Sequence, residues 1–212
     1  MSSKVLQSIY QFHITLEGTT PPIYRVIELP QKSSFWELHC AIQDAFGWED
    51  MHLHEFNSIP QKGKLTLLQR IGIPINDPYI PKNEQPKADW SVKLESAFKV
   101  KGDLMSYIYD FGDNWEHTVR LASIYEAEPL AKYPRCIDGK RACPPEDCGG
   151  VRGYESLLKI LQNTNDPEYS DMMQWFEDIS GQKVFDPELF EANTIKFTHA
   201  QKRLKELKKE LK

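Results

Sequence analysis

Three stretches of the sequence concentrate side chains that bind metal or move protons. His52 and His54 stand two residues apart in Met51–Ser58, a run that alternates as a strand does. Imidazoles at that spacing project from one face and suit a shared divalent metal, zinc or another. Phe56 falls on the same face, so the competing reading is a half-buried surface whose histidines only hydrogen-bond. Asp110, Asp113 and His117 surround the tetrapeptide Phe111-Gly112-Asp113-Asn114. Carboxylate with imidazole makes an oxygen–nitrogen metal site or an acid–base pair. The same residues are also ordinary turn chemistry, with Gly112 free to take positive φ and Asp113 capping the turn.

Residues 129–153 carry three of the four cysteines together with four prolines and four glycines. Cys136, Cys143 and Cys148 lie 7 and 5 apart, without the close Cys pair usual in structural zinc sites. With His117 as fourth ligand they offer a three-cysteine zinc site; otherwise they are small buried thiols. Pro144-Pro145-Glu146-Asp147 sets two carboxylates on a stiff loop. That loop suits a cation, an arginine or a helix N-terminus, or it pairs internally with Arg135, Arg141 or Arg152. His52, His54, Asp110, Asp113, His117, Glu146 and Asp147 are therefore expected to line a binding cleft. The candidate metal ligands are His52, His54, His117, Cys136, Cys143 and Cys148. No catalytic residue stands out, and no GxGxxG or P-loop indicates a nucleotide.

The elements that must position these groups read as follows. Residues 8–16 and 23–29 alternate around Thr19-Thr20-Pro21-Pro22, which predicts an antiparallel hairpin. Ser34 and Glu37 have capping-box spacing, and Phe35, Leu38, Ala41, Ile42, Ala45 and Phe46 recur at helical spacing before Gly47. The order strand–strand–helix–strand (34–46 the helix, 51–58 the third strand) resembles a β-grasp or another α+β sheet. The pattern fails across 72–90, where Pro74, Pro78, Pro81 and Pro86 predict a long exposed excursion. A short helix near 92–98 follows. Residues 104–110 and 115–124 predict a second hairpin. The Pro/Gly-rich stretch 129–153 excludes a helix or a central strand. Helices are expected at 154–162 and 168–179, a turn at Asp186-Pro187, and a last helix from Asn193 or Thr194. Phe197, Ala200, Leu204, Leu207 and Leu211 give that helix a narrow apolar seam.

The chain of 212 residues has net charge −5. Seven basic residues against two acidic ones after position 194 make the tail +5, leaving −10 on residues 1–194. So acidic a body repels a phosphate backbone, and only residues 196–212 present a basic amphipathic helix that nucleic acid or a protein partner would meet. With 40% apolar and 11% aromatic residues the chain can bury a core. No apolar run approaches the roughly 20 residues of a membrane span, and sparse cysteines point to a reducing, cytoplasmic setting.

Several motifs occur together in order: Leu38-His39, Ala45-Phe46-Gly47-Trp48, His52-Leu53-His54-Glu55-Phe56, Tyr107 through His117, Tyr133-Pro134-Arg135-Cys136, and Ala142 through Gly150 with Gly153-Tyr154. In these the chain resembles the plasmid pRiA4b ORF-3-like family, across about residues 8–195. The resemblance implies an α+β fold in a group of uncharacterised proteins, some carried on mobile genetic elements under the label TnpR. The expected architecture is one α+β domain over 1–195, with a mixed or mostly antiparallel sheet and the C-terminal helices at one side, followed by the basic helix 196–212. The expected role is that of a cytoplasmic binding or adaptor protein linked to mobile elements. The alternatives are a metal-dependent hydrolase or nuclease using the His/Asp cluster, and a nucleic-acid binder acting through the basic helix.

Overall fold

The computed structural model describes residues 7–60, 69–74, 80–81 and 85–211. Eight strands form one sheet in the order β5-β4-β3-β6-β7-β1-β2-β8. The two predicted hairpins are its framework. β1 (Ser8–Leu16) pairs antiparallel with β2 (Ile23–Pro30), and β6 (Leu104–Tyr109) with β7 (Trp115–Glu126). β7 also pairs antiparallel with β1, joining the hairpins, and β3 (His54–Ser58) lies along β6. Among the described residues only β4 (Arg70–Gly72) and the two-residue β5 (Lys87–Ala88) run parallel. The fold is thus α+β with a mixed, mostly antiparallel sheet.

Strand parity sorts the sheet into two unlike faces. Phe12, Ile14 and Leu16 of β1, Met105, Tyr107 and Tyr109 of β6, and Trp115, Val119 and Leu121 of β7 are fully or nearly fully buried. Gln11, His13, Thr15, Ser106, Glu116, Thr118 and Arg120 alternate with them and reach solvent in part or wholly. An antiparallel sheet tolerates one wet face. The dry face is covered by α1 (Phe35–Phe46), which Ser34 and Glu37 start with the expected capping box. Leu38, Ala41, Ile42 and Ala45 of α1 join the core with Leu157 and Tyr154 of α3 (Gly150–Leu161). Met172 and Trp175 of α4 (Tyr169–Ser180) pack against the same core. α2 (Leu94–Ala97) is a single turn anchored by the buried Leu94.

Four expectations need correction. The third strand begins at His54, so His52 lies in the loop before it. The excursion 72–90 is not exposed throughout: Asp89, just after β5, is fully buried. Residues 75–79 and 82–84 of it lie outside the described residues. The exclusion of a helix from 129–153 fails at its end, where α3 begins at Gly150, while the exclusion of a central strand stands: β8 (Arg135–Lys140) lies at the sheet edge, where proline and glycine are tolerated. The last helix, α5, spans Ala200–Glu210, starting later than its seam suggested. Asp44 on α1 accepts from the Thr198 amide (2.7 Å) and hydroxyl (2.9 Å). That capture holds the chain before Ala200 out of the helix, while Phe197 packs on the core. Leu204 then docks on Trp36 and Cys40 of α1, and Leu211 is left exposed.

Both sheet edges are short or obstructed. β5 is two residues long, and β8 pairs with β2 through a register shift between Val26 and Ile27. Phe190 lies so close over Gly139 of β8 that a Cβ there would sit 2.4 Å from the ring. The same ring stacks on the buried Arg25 guanidinium at 3.9 Å.

Candidate functional site

Three loops meet beyond the N-terminal end of β3: residues 47–53, the β6–β7 turn, and the segment leading into α3. The turn is tight. Asp110 takes φ 56° and Asn114 φ 54°, values that Asp and Asn tolerate better than most residues. Asp110 Oδ1 accepts from the Gly112 amide at 2.8 Å. Asp113 Oδ2 accepts from the Gly149 amide at 3.1 Å and so ties the turn to the N-cap of α3. The approach requires glycine next door: at Gly150 (φ 67°) a Cβ would meet the Asp113 carbonyl oxygen at 2.4 Å. Glu146 closes the third side. Its Oε2 accepts from the Glu49 amide at 2.9 Å, its Oε1 from the Tyr109 hydroxyl, and Trp48 Nε1 donates to the Pro144 carbonyl at 3.1 Å. Burial and the Glu146 carboxylate push the Tyr109 hydroxyl far above its ordinary pKa, so it stays a donor.

His52 sits at the centre of this junction. Its Nε2 lies 3.1 Å from Asp147 Oδ1 and 3.8 Å from Asp110 Oδ2. The His52 side chain is 32% exposed and that of Asp147 73%. Of the seven cleft residues expected from sequence, His52, Asp110, Asp113, Glu146 and Asp147 come together here, and His54 and His117 do not. Of the three arginines expected to pair with Glu146 and Asp147, two are engaged elsewhere. Arg135 bonds Glu28 and Glu128, and Arg141 bonds Glu188 at 2.7 Å.

His54 and His117 point into the dry face, under α1. His117 is fully buried against Phe46 and Trp48, with Nδ1 facing the Trp115 carbonyl at 3.0 Å. Burial lowers its pKa to about 3, so it is neutral. His54 Nε2 bonds Asp89 Oδ2 at 2.8 Å, with both side chains fully buried. Its ring stacks on that of His39 at 3.5 Å and 8°. His39 in turn faces the Tyr107 hydroxyl through Nδ1 (2.9 Å) and Asp50 through Nε2 (2.7 Å). Gln43 Nε2 donates to the same hydroxyl at 2.9 Å. One hydroxyl has one proton to give, so Tyr107 donates to His39 Nδ1 and His39 Nε2–H donates to Asp50. Burial, with help from His54, brings the His39 pKa down to about 4. Burial alone would raise Asp50, but His39 and Arg203 outweigh it and hold its carboxyl at about 2. Arg203 of α5 also reaches Asp44 at 3.2 Å.

His39, Asp50 and His54 are near enough to suggest a metal, yet the arrangement does not fit one. An imidazole binds metal in its ring plane at about 2.0 Å. The lone pairs of rings stacked at 3.5 Å run side by side and do not converge, and Asp50 is already engaged. The cysteine reading fails too. Among the described residues Cys136, Cys143 and Cys148 enter no metal-sized cluster with His117. Burial pushes all three thiols up, Cys148 to about 12 with Asp113 adding to it. All four cysteines are unpaired.

The sequence reading missed His39, Asp50 and Asp89 as members of a polar network. The available signal was His39 and Gln43, one helical turn apart among the apolar positions of α1.

Comparison with known proteins agrees with the motifs. An uncharacterised protein from Sinorhizobium fredii (strain NBRC 101917 / NGR234), y4hQ, is 27% identical over 172 residues, covering 81% of this chain and 82% of its own. The crystal structure of a protein of unknown function from Methanosarcina mazei Go1, MM3350, superposes with a TM-score of 0.76 at 36% identity, covering 91% of this chain and all of that one. The profile described as plasmid pRiA4b ORF-3-like protein matches residues 8–194. With most of its length matched, the chain belongs to the plasmid pRiA4b ORF-3-like family.

Proposed function

We propose that the protein is a binding module whose ligand is a basic, partly apolar polypeptide segment held in a groove beside the three-loop junction. The groove encloses about 590 Å³ between the 142–147 loop, α4 and the segment after it. One observation carries the reading: among the described residues, every charged side chain lining it (Glu49, Glu146, Asp147 and Asp186) is acidic. Its walls are apolar, and Met51, Ile179 and Leu189 stand substantially exposed there. Apolar surface rimmed by charge marks interaction sites, and charge of one sign selects the opposite sign in a partner. The family takes its name from a plasmid reading frame, in keeping with a role tied to mobile elements. Nucleic-acid contact through α5 is less well supported. Arg203 is consumed by Asp44 and Asp50, and Glu206 and Glu210 share the exposed surface with the lysines.

The test is a titration of the full chain, followed by the fluorescence of Trp48 and its neighbours, with two short synthetic peptides. Both carry the same leucines, one among lysines and one among glutamates. The lysine peptide is expected to bind, to weaken as salt rises, and to lose roughly tenfold in affinity when Ile179 and Leu189 are both changed to Ser. Equal binding of the two peptides, or binding untouched by the double substitution, overturns the reading.

A further inference from the structure

We infer that His52, Asp110 and Asp147 form a site for one divalent transition-metal ion of the zinc or manganese class. This goes beyond the groove reading. The ion would be held whether or not the groove takes a peptide, although Asp147 borders both.

The donor atoms are spaced for a common ion. His52 Nε2 is 3.1 Å from Asp147 Oδ1 and 3.8 Å from Asp110 Oδ2, and all three lie within 4.8 Å of one another. Ligands about 2.1 Å from a metal are separated by roughly 3.0 Å at an octahedral right angle and roughly 3.4 Å at a tetrahedral one. The observed 3.1 and 3.8 Å fall on either side of the tetrahedral value and above the octahedral one, so small side-chain motions would close the shell. One imidazole with two carboxylates is a nitrogen–oxygen set that suits zinc or manganese better than the soft ions favoured by thiolates.

A second observation is independent of that spacing. Asp110 is only 8% exposed, and its Oδ1 is satisfied by Gly112. Among the described residues its Oδ2 makes no hydrogen bond and faces only His52, at 3.8 Å. With its side chain 11% exposed, that oxygen has acceptor capacity open to water, which a cation between it and His52 would use. The His52–Asp147 contact alone would be a partly exposed ion pair of little worth. The inner trio His39, Asp50 and His54 is as compact, but its rings are stacked and its carboxylate is engaged by Arg203, so the two places are chemically distinct. With three protein donors and two of the side chains open to solvent, the ion would keep positions for water or for a donor from a ligand. That composition is the one the hydrolase alternative requires.

The experiment is titration of chelator-stripped, untagged full-length protein with Zn²⁺ and Mn²⁺ by calorimetry, and with Co²⁺ by absorption spectroscopy. About one ion per chain is expected, with Co²⁺ giving weak visible bands and no intense near-ultraviolet thiolate band. H52A and D110N are each expected to weaken binding at least tenfold while circular dichroism and lysine-peptide binding stay unchanged. If the folded wild type takes up no ion, if Co²⁺ shows thiolate ligation, or if H52A and D110N bind as the wild type does, the inference is wrong. Because peptide binding is read separately, failure of the metal site and failure of the groove are told apart.

Discussion

The molecule uses histidine and aspartate in two places with opposite settings. Under α1, His39, His54, Asp50 and Asp89 are packed with Tyr107 and tied by Arg203 to the last helix. At the loop end, His52 and Asp147 stand only partly covered beside the buried Asp110, and two of their contacts exceed 3 Å. One residue, Leu53, separates His52 from His54, yet one side chain faces outward and the other faces the core. The contrast teaches that ligand-type residues do not define a site. Directional lone pairs, free coordination capacity and access do.

If the inner set is structural, acid should reveal it most strongly. His39 and His117 are neutral in the fold, with pKa values of about 4 and about 3, and near 6.5 when unfolded. Depressed values mean the unfolded chain takes up protons first. Stability should be complete above pH 6.5 and fall on acidification toward pH 4, by about 1.4 kcal/mol per pH unit for each histidine. Urea unfolding between pH 7 and 4.5 measures this, and a flat profile would break the assignment of buried neutral rings. Next in size, Arg203→Met should cost about 3 kcal/mol, because Asp44 and Asp50 lose their cation. A chemical-denaturation midpoint reads it, and a neutral result would leave α5 uncoupled from the histidines. Smallest of all, H52A should change stability by less than about 0.5 kcal/mol, since the His52 ring and Asp147 are partly exposed and Asp110 lies 3.8 Å away. A large loss there would erase the distinction between the two regions.

The hairpins and α1 were legible because local rules and burial agreed in them: alternation, a turn, a capping box and an apolar stripe. β4, β5 and β8 were not, since strands of two, three and six residues amid proline and glycine are defined by what they pair with. The outer cluster was legible because Asp110 and Asp147 sit in segments whose turn chemistry is written locally. His54 and His117 were misplaced for a definite reason. Strand parity assigns a side chain to a face, but which face a helix will cover depends on distant residues. The start of α5 depended on Asp44, more than 150 positions away from Thr198.

The sheet's guarded borders have a consequence for how this protein can meet others. A two-residue β5 offers too few free backbone groups to template another strand, and Phe190 lies across β8. Strand addition at the β5 edge is thereby disfavoured.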